Sequence, residues 1–250
     1  MIKFFRHLRQ KMLAENPSTG RAGKISKYLL YAIGEIVLVV IGILIALQIN
    51  NWNQQQLEKK QIRNIYARIV KDFENSANEI ERDIEKKDNF YPLLQNILKG
   101  EVNSDSLLTN LEYFNKYFNS TTGFPDIQIT DTGIRLLESK IELNYELNNE
   151  LTEALTLLYS EHLYEIEIDK EAFNKWWWQL QTYIVEKGIR VDYRIHGIRT
   201  TFANMIFEDD MFKNYLHRYA GSWRGYSNKL KKFKTQGEIL IEEIKKEYHL

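Results

Sequence analysis

Residues 28–53 read YLLYAIGEIVLVVIGILIALQINNWN, and the 21 positions from Leu29 to Ile49 are interrupted only by Glu35 and Gln48. A helix of that length spans roughly 31 Å, about the hydrocarbon thickness of a bilayer. The stretch predicts one membrane-spanning helix over 28–52, with Trp52 as an interfacial anchor. A cleaved signal peptide fits poorly, because the apolar core is too long and Ala46-Leu47-Gln48 is a poor substitute for a small-x-small cleavage site.

Charge is distributed unevenly about this span, although the formal net charge is zero. Residues 1–27 carry Lys3, Arg6, Arg9, Lys11, Arg21, Lys24 and Lys27 against Glu15, a balance of +6, whereas residues 53–250 carry −5. Close to the span the basic residues tie, with Arg21, Lys24 and Lys27 on one side and Lys59, Lys60 and Arg63 on the other. The whole tail still favours a cytoplasmic N-terminus, since large domains translocate largely regardless of charge. The body is therefore expected outside the cytoplasm. With no cysteine, disulfides and thiolate metal sites are excluded.

The opening MIKFFRHLRQKMLAE places Ile2, Phe5, Leu8 and Met12 on one side among basic residues. This pattern predicts an amphipathic helix lying on anionic lipid, within a basic segment of residues 1–27. NPSTGRAG at 16–23 supplies the turn before the span.

Residues 53–250 form one predicted helical domain. Ile62, Tyr66, Ile69, Phe73, Ala77, Ile80 and Ile84 recur at spacings of three and four, predicting a long helix over 54–87 and a further one to Lys99. Gly100, Asn103, Ser104 and Asp105 end it and open a helix over 105–118. NSTTGFPDIQI at 119–129 reads as a loop, and Asp131 or Thr132 starts a short helix. Asn144 is expected to start a long helix whose seam includes Leu147, Leu151, Leu155, Leu158, Ile166, Phe173, Trp177, Leu180 and Ile184, ending at Gly188. Residues 189–195 alternate apolar and charged side chains and read as an extended connector. A last helix over 209–247 carries Phe212, Leu216, Tyr219, Trp223, Leu230, Phe233, Leu240 and Ile244. The expected fold is all-α: an N-terminal amphipathic helix, one transmembrane helix and an elongated antiparallel helical bundle.

The opening MIKFFRHLRQK, the span and the tail GEILIEEIKKEY together resemble a family of Gram-negative bacterial membrane proteins catalogued as a domain of unknown function. The likeness is most specific over residues 1–53 and continues through ITDTGIRLLESKIELNYELNNELTEALTLLY and MFKNYLHRYA. WWWQLQ at 176–181 and the alternating connector depart from it. The resemblance implies an inner-membrane location and no established activity.

Ala32, Glu35, Val39, Gly42, Ala46 and Ile49 follow one another at spacings of 3, 4, 3, 4 and 3, with Gly42 and Ala46 as a small-xxx-small pair. A carboxylate about 9 Å inside the hydrocarbon is costly unless it faces a partner. The stripe therefore predicts a homo-oligomer paired through the membrane helix. If the helix continues from Ile49 to Ile62, it turns by about 220°, so the two apolar seams face different ways. An alternative use of the stripe is a ligand-gated channel with Glu35 facing the pore, in which Glu35→Gln would change ion flux.

Trp176, Trp177 and Trp178 point about 100° apart on a helix, so they cannot all enter one core. They form a candidate binding surface, as do Arg190, Arg194 and Arg199 with Tyr193 and His196. That basic patch suits a small phosphorylated ligand better than nucleic acid, which is not expected on an acidic body. His7, His162, His196, His217 and His249 never fall in HxxxH, and no GxSxG, Walker A or GxGxxG is present. His162 beside Glu161 and Glu165 is the nearest approach to a metal motif, and Gly221 with Gly225 suggests close packing or a bend. No catalysis, metal or cofactor is expected. The expected partners are membrane lipid, further copies of the chain, and a protein or small ligand for the body.

Overall fold

The computed structural model describes residues 21–123, 127–141, 149–189 and 196–250, with the side chains of 21–27, 30 and 196 left aside. Those residues form helices and connecting segments, with no strand among them. The helices are α1 (Arg21–Asp88), α2 (Tyr91–Lys99), α3 (Ser104–Thr109), α4 (Leu111–Thr122), α5 (Thr132–Ile141), α6 (Glu150–Glu186), α7 (His196–Glu208) and α8 (Asp210–Tyr248). The chain divides into two units, Met1–Lys60 and Gln61–Leu250. The amphipathic segment at residues 2–12 and the alternating part of the connector, 190–195, lie outside the described residues.

In the first unit, α1 is apolar through the predicted span, and every described residue from 28 to 60 is exposed. In the second unit the predicted seam closes as expected. Ile62, Tyr66, Ile69, Phe73, Ala77, Ile80 and Ile84 are all buried, because a 3.6-residue repeat keeps them on one face. They meet Leu155, Leu158, Ile166 and Phe173 of α6 and Phe212, Leu216, Leu230, Phe233 and Ile244 of α8 in one core.

Aromatic rings make up much of that core. Phe73 lies 5.7 Å from Phe233, which meets Tyr159 edge-on at 5.4 Å. Phe173 touches Tyr219, Trp223 and Tyr226 at 5.5, 5.6 and 5.9 Å. Each such pair adds about 0.5–1.5 kcal/mol beyond its buried area. At another part of the body Phe114, Phe118, Phe202 and Phe212 join α4, α7 and α8.

The contacts set the helix directions. Lys229 and Tyr183 reach Glu165 and Asp209, so α6 and α8 run antiparallel. Arg63 donates to the carbonyls of Tyr248 and His249, whereas Asp88 pairs with Lys231, so α1 and α8 are antiparallel too. Tyr66 bonds Thr152 at 2.7 Å, which leaves α1 and α6 parallel. Of the three long helices α1 and α6 thus form a parallel pair, because α2–α5 return the chain to the start of the α1 seam before α6 begins.

Several boundaries differ from expectation. The helix predicted at 105–118 is two helices, divided at Asn110, whose extended backbone (φ −103°, ψ 111°) ends α3 while its side chain caps α4 through the Tyr113 N–H. The predicted loop at 119–129 opens only at Gly123. The Ser120, Thr121 and Thr122 hydroxyls donate to the carbonyls of Tyr117 and Phe118 and carry α4 through Thr122. The start at Asn144 lies outside the described residues, and α6 opens at Glu150 under an Asn149 cap. Helix α7 was not expected. Its buried Ile198, Phe202, Met205 and Ile206 follow helical spacing, but the run is short and adjoins the alternating connector. Close glycine packing occurs at Gly237, which presses on Phe73, and not at Gly221, beside which a Cβ would meet nothing within 4 Å.

Candidate functional site

The stripe Ala32, Glu35, Val39, Gly42, Ala46 and Ile49 is exposed at every position, as are its neighbours around the helix. The apolar window has no residue buried by the rest of the chain. In a single copy, Glu35 therefore presents its carboxylate on an otherwise apolar cylinder. Beside Gly42, space for a Cβ is empty to 4 Å.

The tryptophan triplet divides as its geometry demands. Phe173 and Leu180, seven residues apart, take the fully buried positions of α6. Trp177 is half-buried and donates from Nε1 to the Thr122 carbonyl at 3.2 Å, which ties α6 to the end of α4. Trp178 is 62% exposed and meets Trp177 edge-on. Trp176 is half-buried and faces α8, where the Arg218 guanidinium carbon lies 4.6 Å from its ring centre.

Beside Trp176 is a concave surface of about 490 Å³, lined by Trp176, Asn214, His217, Arg218, Gly221 and Ser222. The five residues from α8 share one helical face at spacings of three and four. Leaving position 221 without a side chain keeps the hollow open. Lys175 stands over the Trp176 ring at 5.4 Å, so two cations flank one indole. Among the described residues no ion pair joins a carboxylate to Lys175, His217 or Arg218.

The arginine patch is only partly described. Arg190 and Arg194 lie outside the described residues, as does Tyr193, and the His196 side chain is likewise outside. Arg199 donates to the Leu108 carbonyl at 3.1 Å with its guanidinium 5.9 Å from the Phe114 ring. It clasps α7 to α3 and α4, a structural role that takes at least one of its donors.

His162 is buried, with Nε2 2.5 Å from the Gln236 side-chain oxygen and Nδ1 3.8 Å from Glu165. Glu165 itself is held by Lys229 at 2.7 Å, whose hydrogen bond lowers the carboxyl pKa. Among the described residues no group of three His, Asp or Glu side chains stands where a metal ion would be held.

Lys87 is a buried cation near the end of α1. Its ammonium donates to the Gly123 carbonyl and lies 3.3 Å from the Tyr219 hydroxyl, which donates to the same carbonyl at 3.0 Å. Burial lowers the Lys87 pKa from 10.5 to about 8, against the opposing pull of Asp83. Burial also raises the pKa of Tyr219. The folded state thus holds the lysine proton more weakly than the unfolded chain does. The Lys87 contribution to stability then rises with pH from about 8 toward 10.5, by roughly 1.5 kcal/mol between pH 8 and 9.5, while the raised tyrosine pKa values act in the opposite sense as pH nears 10. Lys87→Met should flatten that rise, because Gly123 keeps Tyr219 as its donor. Urea unfolding of both proteins at pH 8 and 9.5 measures the difference, and equal slopes would contradict it.

The groove residues Asn214, His217, Arg218 and Ser222 were not singled out as a site from sequence. Their shared face was visible as a spacing, but the opposing Trp176 lies 38 positions away in the chain. No protein-family model, curated protein or solved structure matches this chain.

Proposed function

We propose that this chain is a membrane-anchored, non-catalytic binding protein of the inner membrane. One helix holds it in lipid, copies pair through that helix, and the body meets a ligand or partner outside the cytoplasm. The observation that carries this reading is a contrast within α1. Between Leu29 and Ile49 its described large apolar side chains are exposed, whereas from Ile62 onward its seam is buried in a core of the body's own. Water does not tolerate a continuous apolar surface of that extent, and a bilayer does. Pairing of copies would give Glu35 a polar partner and let Gly42 and Ala46 bring backbones close. The basic tail of residues 1–27 favours the cytoplasmic side.

The chain has no cysteine, so Gln128→Cys, at an exposed position, gives one reporter. The protein should stay in the pellet after alkaline carbonate extraction of membranes. An impermeant thiol reagent should label it in cells whose outer membrane alone has been opened. Release by carbonate would refute the anchor, and labelling only after rupture of the inner membrane would reverse the orientation.

A further inference from the structure

We infer that the groove between α6 and α8 is a binding site for a small oxyanion, a phosphate or carboxylate group, with Arg218 as its principal ligand. This deepens the binding-protein reading and rests on it. The argument starts from the donors. Arg218 is exposed on α8 and makes no hydrogen bond or ion pair with any of the described residues; its guanidinium rests on the Trp176 ring. Cation–π attraction holds a guanidinium in place without using its five N–H donors. Those donors have the fork geometry that matches carboxylate and phosphate oxygens.

The surroundings suit the same chemistry. Asn214 projects one turn before Arg218 and Ser222 one turn after it, with His217 beside it, all lining the hollow. The Ser222 hydroxyl donates to the Tyr219 carbonyl at 2.9 Å, which leaves its oxygen to accept a protonated phosphate or a ligand hydroxyl. Lys175 adds a second cation at the edge of the indole. These two cations lie on a body that carries a net −5 over residues 53–250. The hollow is shallow and open, with a volume of about 490 Å³ that lies within the roughly 300–1,000 Å³ range of small-molecule sites.

The groove can be closed without disturbing the core. A side chain at position 221 would enter open space, while the neighbouring buried Ala220 and Trp223 stay as they are. Gly221→Leu is therefore a plug, and Arg218→Met removes the charge while keeping a stem against Trp176. Arg224, exposed on α8 and outside the groove lining, is the matched control.

The test is isothermal titration of the full chain in detergent micelles with phenyl phosphate and, separately, sodium benzoate, at constant ionic strength in chloride. Saturable binding of at least one probe is expected, weakened tenfold or more by Arg218→Met, abolished by Gly221→Leu and unchanged by Arg224→Met. Preference between the probes tells phosphate from carboxylate. Near-UV circular dichroism matching the parent shows that each variant is folded, and Arg218→Met serves alone should the plug fail to fold. Absence of saturable heat with both probes would overturn the site and leave the face to a protein partner. Equal weakening by Arg218→Met and Arg224→Met would overturn it as well. Because the titration is done in micelles, it stands whatever the membrane orientation proves to be, so its failure and that of the anchor reading are separate results.

Discussion

Replacing Gly237 with alanine is expected to destabilise the helical body by about 2 kcal/mol net, although alanine is the better helix former by about 1 kcal/mol. A Cβ at position 237 would lie 2.0 Å from Cε2 and 2.4 Å from Cζ of Phe73. No carbon pair survives at that distance, so ring or helix must move. The ring has little room, since Phe73 is 2% exposed and Phe233 lies 5.7 Å away. The added methyl therefore forces α1 and α8 apart along a seam where both are buried. Phe73→Ala alone should cost about 4 kcal/mol through its cavity. In the double variant the new methyl enters the space left by the ring, so the combined loss should fall short of the sum by about 1–2 kcal/mol. Urea unfolding followed by near-UV circular dichroism measures all three. A Gly237→Ala protein as stable as the parent would show that this approach is not as close as described.

Asp72→Ala should cost about 2–3 kcal/mol, and the loss should be concentrated at α5. Asp72 is 3% exposed, and its two oxygens have separate tasks. One pairs with Arg68 at 2.9 Å, and the other accepts the Gly133 N–H at 2.9 Å. Gly133 is in the first turn of α5, so α1 supplies the acceptor that a helix start would ordinarily find in its own N-cap. Ser76 extends the join, donating to the Asp72 carbonyl and accepting from the Thr130 N–H at 3.0 Å. Gly133 is itself pressed on Ile69, where a Cβ would come within 2.7 Å of backbone nitrogen. Removing the carboxylate orphans a buried N–H, whereas the half-exposed Arg68 can turn to water. Asp72→Asn keeps an acceptor and should lose about 1 kcal/mol. Hydrogen exchange at the Gly133 amide should quicken in Asp72→Ala far more than in Asp72→Asn. Unchanged exchange in both would remove the cap from the account.

Much of this architecture was legible before any coordinates, and particular residues show why. The seam from Ile62 to Ile84 was readable because each member repeats at helical spacing over six turns, and every one is buried. The cap at Asn103 and the stop at Gly188 (φ 87°) are local signals, needing no knowledge of distant residues. The break at Asn110 was not legible, because asparagine in a polar run marks a helix start, a stop or neither. Nor was α7, whose four buried positions adjoin a segment with a period of two. Nothing in sequence distinguished Gly237 from Gly221, since the difference lies in whether another helix stands opposite.

The candidate groove illustrates the same division. Trp176 is one of three adjacent indoles, and sequence does not say which of the three faces donors on another helix. Of the three arginines, Arg199 is engaged by the Leu108 carbonyl, and Arg190 and Arg194 lie outside the described residues.

By itself, the chain's order of residues determined the apolar span, the all-helical composition and the buried face of each long helix. Those properties depend on periodicity and on the transfer of apolar side chains from water, both of which act over a few neighbouring turns. The parallel placing of α1 and α6, the approach at Gly237, the cap reached across from Asp72 and the pairing of Trp176 with Arg218 were decided only by tertiary structure. Each joins residues at least 38 positions apart, and only packing of whole helices brings such residues together.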